Sequence, residues 1–120
     1  MMSEAIILHG IPNCDSVKKA KRWLAAEGID HAFHDVRKDG VDAALLDGWI
    51  DTLDDWGVLL NRRGTTWRTL DESEKADLDR ERAVALMVAH PAIIKRPVLV
   101  RGDIVLVGFD ETMYRKLVAN

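Results

Sequence analysis

The chain holds one cysteine, and its neighbours give it a chemical setting. The segment Gly10-Ile11-Pro12-Asn13-Cys14-Asp15 follows a short apolar run and opens a stretch of helical spacing. It therefore falls at the carboxyl end of a strand and the start of a helix, where α/β proteins build their sites. The unpaired N–H groups and positive dipole end of a helix start favour a thiolate over a thiol. Lys18, one turn along, adds a favourable charge if it faces the sulfur, and Asp15 works in the opposite sense. Two readings stand: a reactive thiol, or the small core residue that a free cysteine commonly is. Pro12-Asn13 before it and Asp15-Ser16 after it predict exposure, whereas a core cysteine keeps apolar neighbours.

Other side chains carry paired readings too. His9 is either a base near the sulfur or a hydrogen-bonded, half-buried imidazole. Arg62, Arg63 and Arg68 form either an anion-binding lip or a solvated loop. Trp23, Trp49, Trp56 and Trp67 read as packing residues. Asp51, Asp54 and Asp55 read as a solvated face, because calcium requires a fixed loop spacing that is missing. Four scattered histidines and one cysteine give no paired-ligand spacing, so no metal is expected.

These residues need elements to position them. Ala5 to Leu8 is a short apolar strand ended by Gly10 and Pro12. Cys14 to Glu27 is helical, with Val17, Ala20 and Leu24 on one face and Gly28 as its stop. Ile29 to Val36 reads as a second strand with Phe33 inward. This opening is a βαβ unit with two parallel strands. Val41 to Trp56 and Glu72 to Ala89 are helical, with Thr69-x-x-Glu72 as a capping box for the second. Leu59 to Arg68 between them reads as a polar loop, and His90-Pro91 ends the helical region. Val98-Leu99-Val100 and Ile104 to Val107 make a hairpin about Gly102. Asp110 caps a last helix running through Leu117.

Composition narrows the class. At 120 residues, 48% hydrophobic and 31% charged, the chain suits one soluble domain with one core. A net charge of -3 offers no global field for nucleic acid. The opening residues through Glu4 lack a basic leader, and no apolar run approaches the roughly 18 residues of a membrane span. One cysteine excludes an internal disulfide and points to the cytosol.

Gly10 to Cys14, Leu59 to Arg68, and His90-Pro91-Ala92-Ile93-Ile94-Lys95-Arg96-Pro97 before Val98 together resemble the arsenate-reductase-like (ArsC) family. Ile11-Pro12-Asn13-Cys14-Asp15 and Arg63-Gly64-Thr65-Thr66-Trp67 are similar to its YffB-type branch. The resemblance spans essentially the whole chain. It implies an α/β, thioredoxin-like fold with a mixed four-stranded sheet in a single domain, 1–120, and a helical insertion at about 40–90. It also implies a thiolate at Cys14 and a cis Pro97, where the residues alone equally allow a trans proline starting an edge strand. Such a segment would pair with an extended peptide such as glutathione.

Three arginines surround the oxyanion in arsenate reductases, and Arg96 matches the second. The first falls on or beside Asn61, where Arg62 or Arg63 replaces it only in part, and the third falls near Gly108, with no arginine. Arsenate reduction is accordingly the third choice. The Cys-x-x-Cys switch of Spx-type regulators is missing too, because Val17 holds the second position. The expected function is a glutathione-dependent thiol–disulfide reductase with Cys14 as nucleophile. Asn13, Arg62, Arg63, Arg96 and Pro97 are the expected substrate contacts. Glutathione or another small thiol would resolve the enzyme, with no bound cofactor. The alternative is a non-catalytic, Spx-type module that docks a regulatory protein partner.

Overall fold

The computed structural model describes residues 5–119; Met1 to Glu4, which entered the leader argument, and Asn120 lie outside them. The chain runs β1 (Ile6–Gly10), α1 (Asp15–Ala26), β2 (Ala32–Asp35), a helical segment, β3 (Val98–Arg101), β4 (Ile104–Val107) and α6 (Glu111–Ala119). The strands lie in the order β2-β1-β3-β4. β1 pairs in parallel with β2, so that His9 faces His34, and antiparallel with β3, so that His9 also faces Val98. β3 and β4 form the hairpin, turning through Gly102 at φ 57°. This is the thioredoxin-like arrangement with its mixed four-stranded sheet.

The chain's contacts gather into two compact units. One holds the described residues up to Asp35 and from Arg96 onward; the other is Val36–Lys95. In the sheet unit, α1 and α6 cover the face of the sheet that carries Ile6, Leu8 and Leu99. Val17, Ala20, Trp23 and Leu24 from α1 meet Tyr114 and Leu117 from α6 in that layer. Each large apolar side chain buried there contributes about 1.5–3 kcal/mol. Tyr114 packs edge-on against both Trp23 and Phe109, with centroids at 5.7 and 5.0 Å. α1 ends through Gly28, whose φ of 69° suits a residue without Cβ.

The insertion unit contains α2 (Ala43–Leu53), α3 (Thr65–Thr69), α4 (Glu72–Lys75) and α5 (Arg80–Ala89). Asp42 caps α2 by accepting from the Leu45 N–H at 2.8 Å, and Asp79 caps α5 by accepting from Arg82 at 2.8 Å. α2 packs on α5, and a short 3-10 turn, Pro91–Ile93, follows α5. Leu60 bridges Ile94, and the Lys95 N–H donates to the Leu59 carbonyl at 2.7 Å.

The insertion departs from three sequence expectations. The stretch Glu72 to Ala89 is two helices, because the chain breaks at Ala76 and Asp77 adopts a left-handed φ of 52°. Thr69 and Glu72 form no capping box: Thr69 ends α3 and donates its hydroxyl to the Thr66 carbonyl, while Asp71 precedes α4. The Leu59 to Arg68 segment is not wholly loop, since α3 begins at Thr65. A short helix has too few residues for a periodic signal, so pattern reading passes over it. The aspartates at the end of α2 are exposed but occupied. Asp51 pairs with Arg80 at 2.8 Å, Asp54 is the left-handed C-cap at φ 58°, and Asp55 accepts from the Gly57 N–H at 2.8 Å.

Candidate active site

The site grows from the junction of β1 and α1. After Gly10 the chain turns through Ile11-Pro12-Asn13, and the Cys14 N–H donates to the Ile11 carbonyl at 3.1 Å. Cys14 is the N-cap of α1, with extended φ/ψ of -90° and 130°, and its carbonyl accepts the first helical bond from Lys18 at 2.9 Å. Gly10 sets this junction. A Cβ built on it would lie 2.6 Å from Cγ2 of Val17, a fully buried, β-branched residue that cannot swing away. The missing side chain lets the first turn of α1 close against β1.

That closeness matters for the sulfur. Cys14 is half-buried against the sheet unit's core, and this burial, the largest single influence, opposes ionisation. The Val17 N–H, the Arg96 side chain and the Ser16 N–H act the other way, joined by the charge of Arg96, although the sulfur makes no full capping hydrogen bond to α1. Together they outweigh burial and hold the thiol below its ordinary pKa. Asp15 and Lys18, the charges the sequence offered, are both exposed. The groups favouring the thiolate are backbone N–H groups and an arginine remote in sequence.

Arg96 reaches the sulfur because β3 begins beside the end of β1, where Val98 pairs with His9. The Arg96–Pro97 peptide bond is cis, and Pro97 is buried. The Gly108 N–H donates to the Pro97 carbonyl at 2.8 Å, so that acceptor is already engaged within the sheet unit. Asn13 is an exposed turn residue next to Cys14. Cys14, Asn13, Arg96 and Pro97 thus share the sheet unit.

Arg62 and Arg63 belong to the insertion, where both are exposed. Arg62 lies over the Trp67 ring at 5.8 Å, the Arg63 N–H donates to the Asn61 side chain at 3.2 Å, and Arg68 donates to the Arg63 carbonyl at 2.6 Å. Those contacts organise the α3 entry.

His9 answers to the second of its two readings. It is buried on the sheet face opposite Leu8, with its Nδ1 2.7 Å from Nδ1 of His34 on the neighbouring strand. Burial first, and the neighbouring His34 second, lower its pKa to about 4, so the imidazole is neutral near pH 7. A proton between the two nitrogens requires one ring to donate and the other to accept. Among the described residues no three His, Cys, Asp or Glu side chains converge to hold a metal ion.

A half-buried cysteine at a helix start, its pKa held down with an arginine beside it, and a cis proline at the adjoining strand form a thiol-redox arrangement. The sequence profile of the ArsC family matches residues 9–117. The chain belongs to the ArsC family. A Haemophilus influenzae relative named only as an uncharacterized protein is 44% identical over 110 residues, spanning 92% of this chain and 96% of its own. The solved structure of a protein named YFFB superposes with a TM-score of 0.89 at 45% identity, covering 93% of this ArsC-family chain and 97% of that one. The global transcriptional regulator Spx 2 of Bacillus cereus is 23% identical over 112 residues, covering 92% of this chain and 85% of the regulator.

Sequence reasoning missed two parts of this ArsC-family site. It invoked the unpaired N–H groups of the helix start, and these are the N–H groups of Ser16 and Val17. It did not single out the demand for glycine at position 10, or His34 as the partner of His9. Both depend on how α1 and β2 pack against β1.

Proposed function

We propose that this ArsC-family protein is a glutathione-dependent thiol–disulfide reductase acting in the cytosol. The observation that carries the reading is the convergence of the Val17 and Ser16 N–H groups and the Arg96 guanidinium on the sulfur of Cys14. The Cys14 thiolate attacks a sulfur of a glutathione mixed disulfide, and the S–S bond breaks. The other half leaves as a thiolate and takes its proton from water. A second glutathione, as thiolate, then attacks the Cys14–glutathione disulfide, releasing oxidised glutathione and restoring the Cys14 thiolate. The external thiol is needed because the chain has no second cysteine.

In this scheme Arg96 holds a carboxylate of the peptide, aided by Asn13. Backbone pairing falls on Arg96 rather than on the Pro97 carbonyl, which Gly108 occupies. The test is the pH dependence of Cys14 alkylation, with and without glutathione. The expected midpoint lies below that of a free thiol, and glutathione protects. Arg96→Gln moves the midpoint upward and slows alkylation at neutral pH several-fold, while Cys14→Ser abolishes turnover. Full turnover in Cys14→Ser with every disulfide tried would end the proposal.

Similarity to Spx 2 favours a second reading, a regulatory module that docks a protein partner. In that case partner binding survives Cys14→Ser unchanged. Arsenate reduction stays third, because Gly108 and Asn61 stand where two of the oxyanion arginines would be. Arsenate-dependent thiol oxidation is expected to be absent.

A further inference from the structure

α5 is unusual for a surface helix. From Ala83 to Ala89 it reads Ala-Val-Ala-Leu-Met-Val-Ala without a polar residue. A helix with one face on a core normally turns a polar face to water, and a helix apolar all round is normally covered all round. Here Ala83, Val84, Leu86 and Met87 are buried, but Ala85, Val88 and Ala89 are exposed, Val88 to 38%. Ala85 and Val88, with Val84 beside them, line an open groove of about 680 Å³ between α5 and the start of α2, where Val41 and Ala43 form the opposite wall. Ala43 and Ala85 are small, which lets another backbone approach closely.

The groove's charges tell what could fill it. The cation lining it, Arg80, already binds Asp51 at 2.8 Å and Asp47 at 3.3 Å. Asp42 and Glu81 add two further carboxylates at the edge. The rim is therefore acidic around an apolar floor. An anionic membrane surface would be repelled by it. A second copy of this chain fits poorly as well. Its cationic helix, α1, carries Lys18, Lys19, Lys21 and Arg22, but its apolar residues Val17, Ala20, Trp23 and Leu24 lie in its own core.

We infer that the α2–α5 groove docks an amphipathic helix of a partner protein, whose apolar stripe enters between Ala43 and Ala85 and whose flanking lysines or arginines meet the acidic rim. The floor extends little more than one turn along α5, so an occupant of about two to three turns, some 8–11 residues, suffices. Such a contact is small and belongs with the transient interfaces. It involves no residue of the Cys14 site and stands or falls separately from the reductase reading.

The experiment is an amide NMR titration of the full chain with a synthetic lysine peptide of about 14 residues, leucines at i, i+3, i+4 and i+7. Two controls are the same peptide with glutamate for lysine, and one with the leucines scattered. The expected result is saturable shifts at Val41, Ala43, Val84, Ala85 and Val88 with the patterned lysine peptide alone. Ala85→Glu, at an exposed helical position, weakens binding by about tenfold or more, since a carboxylate is driven against an apolar stripe. Glu81→Lys, on the rim, weakens it less, and Cys14→Ser leaves it unchanged. Equal binding of either control peptide, shifts elsewhere, or no shift at millimolar peptide would overturn the proposal. So would self-association of the protein that Ala85→Glu abolishes, because the occupant would then be a second copy.

Discussion

α1 and α5 divide polar and apolar residues in opposite ways. α1 separates them cleanly: Val17, Ala20, Trp23 and Leu24 are buried while Lys18, Lys19 and Arg22 face water. α5 keeps its charges to the first turn and presents apolar residues on both sides. The difference reflects what each helix does in its unit. α1 must hold one cysteine still, so its inner face is fully committed to the sheet. α5 packs on α2 with one side only, and its other side remains an apolar surface. The sheet unit also draws polar groups inward, with His9 buried and the Tyr114 hydroxyl enclosed, whereas the insertion keeps the Arg80 ion pairs at its surface. Enclosure shifts the titration of the groups it buries, His9 downward and Tyr114 upward, whereas the insertion leaves apolar residues of α5 uncovered.

The largest test of that contrast is acid. The folded-state pKa of His9, about 4, lies below the ordinary value of 6.5, so the unfolded chain binds more proton between those values. Stability from this group is complete above pH 6.5 and is lost as the pH falls toward 4. From pH 7 to 4.5 the loss is of the order of 2 kcal/mol. Urea unfolding should show this loss in the parent chain and a flatter profile in His9→Gln.

Gly10→Ala comes next. Its Cβ would meet Val17 at 2.6 Å, and overpacking of this kind costs about 1–3 kcal/mol. Because Val17 carries an N–H that favours the thiolate, the alkylation midpoint of Cys14 should also rise, a change that lost stability alone would not produce.

Tyr114→Phe is a smaller change with the opposite sign. The hydroxyl is buried with no hydrogen-bond partner among the described residues, and burial raises its pKa. Its removal should stabilise the chain by about 1 kcal/mol in thermal or urea unfolding. Smallest is Gly48→Ala in α2, where an added Cβ meets nothing within 4 Å. There the same glycine-to-alanine change should stabilise by about 0.4–1 kcal/mol. Opposite signs for Gly10 and Gly48 would sharpen the comparison of the two units; equal signs would break it.

Much of the sheet unit is legible in the residues themselves. The run Ala5 to Leu8 and the hairpin around Gly102 can be read because strand and turn signals act over a few residues. The observed β1 merely continues through His9 and Gly10. The insertion is harder. Its helices are short, and the break at Ala76–Asp79 has no proline or glycine to mark it. The capping role of Thr69 fails for the same reason, since α3 takes Thr69 as its own last residue.

For the candidate site the sequence alone determined that Cys14 opens a helix after a strand, with the exposed turn Pro12-Asn13 before it and no second cysteine in the chain. Those features depend on near neighbours, and local backbone physics decides them. Tertiary structure decided the rest. Only strand pairing brings Arg96 to the sulfur and sets His9 against His34, and only the closing of α1 on β1 makes Gly10 indispensable. Likewise, only the packing of α5 on one side shows that its apolar run is half uncovered. A residue's type is written locally, but its electrostatic and steric surroundings come from segments far along the chain, and those surroundings choose between a thiol that packs and one that reacts.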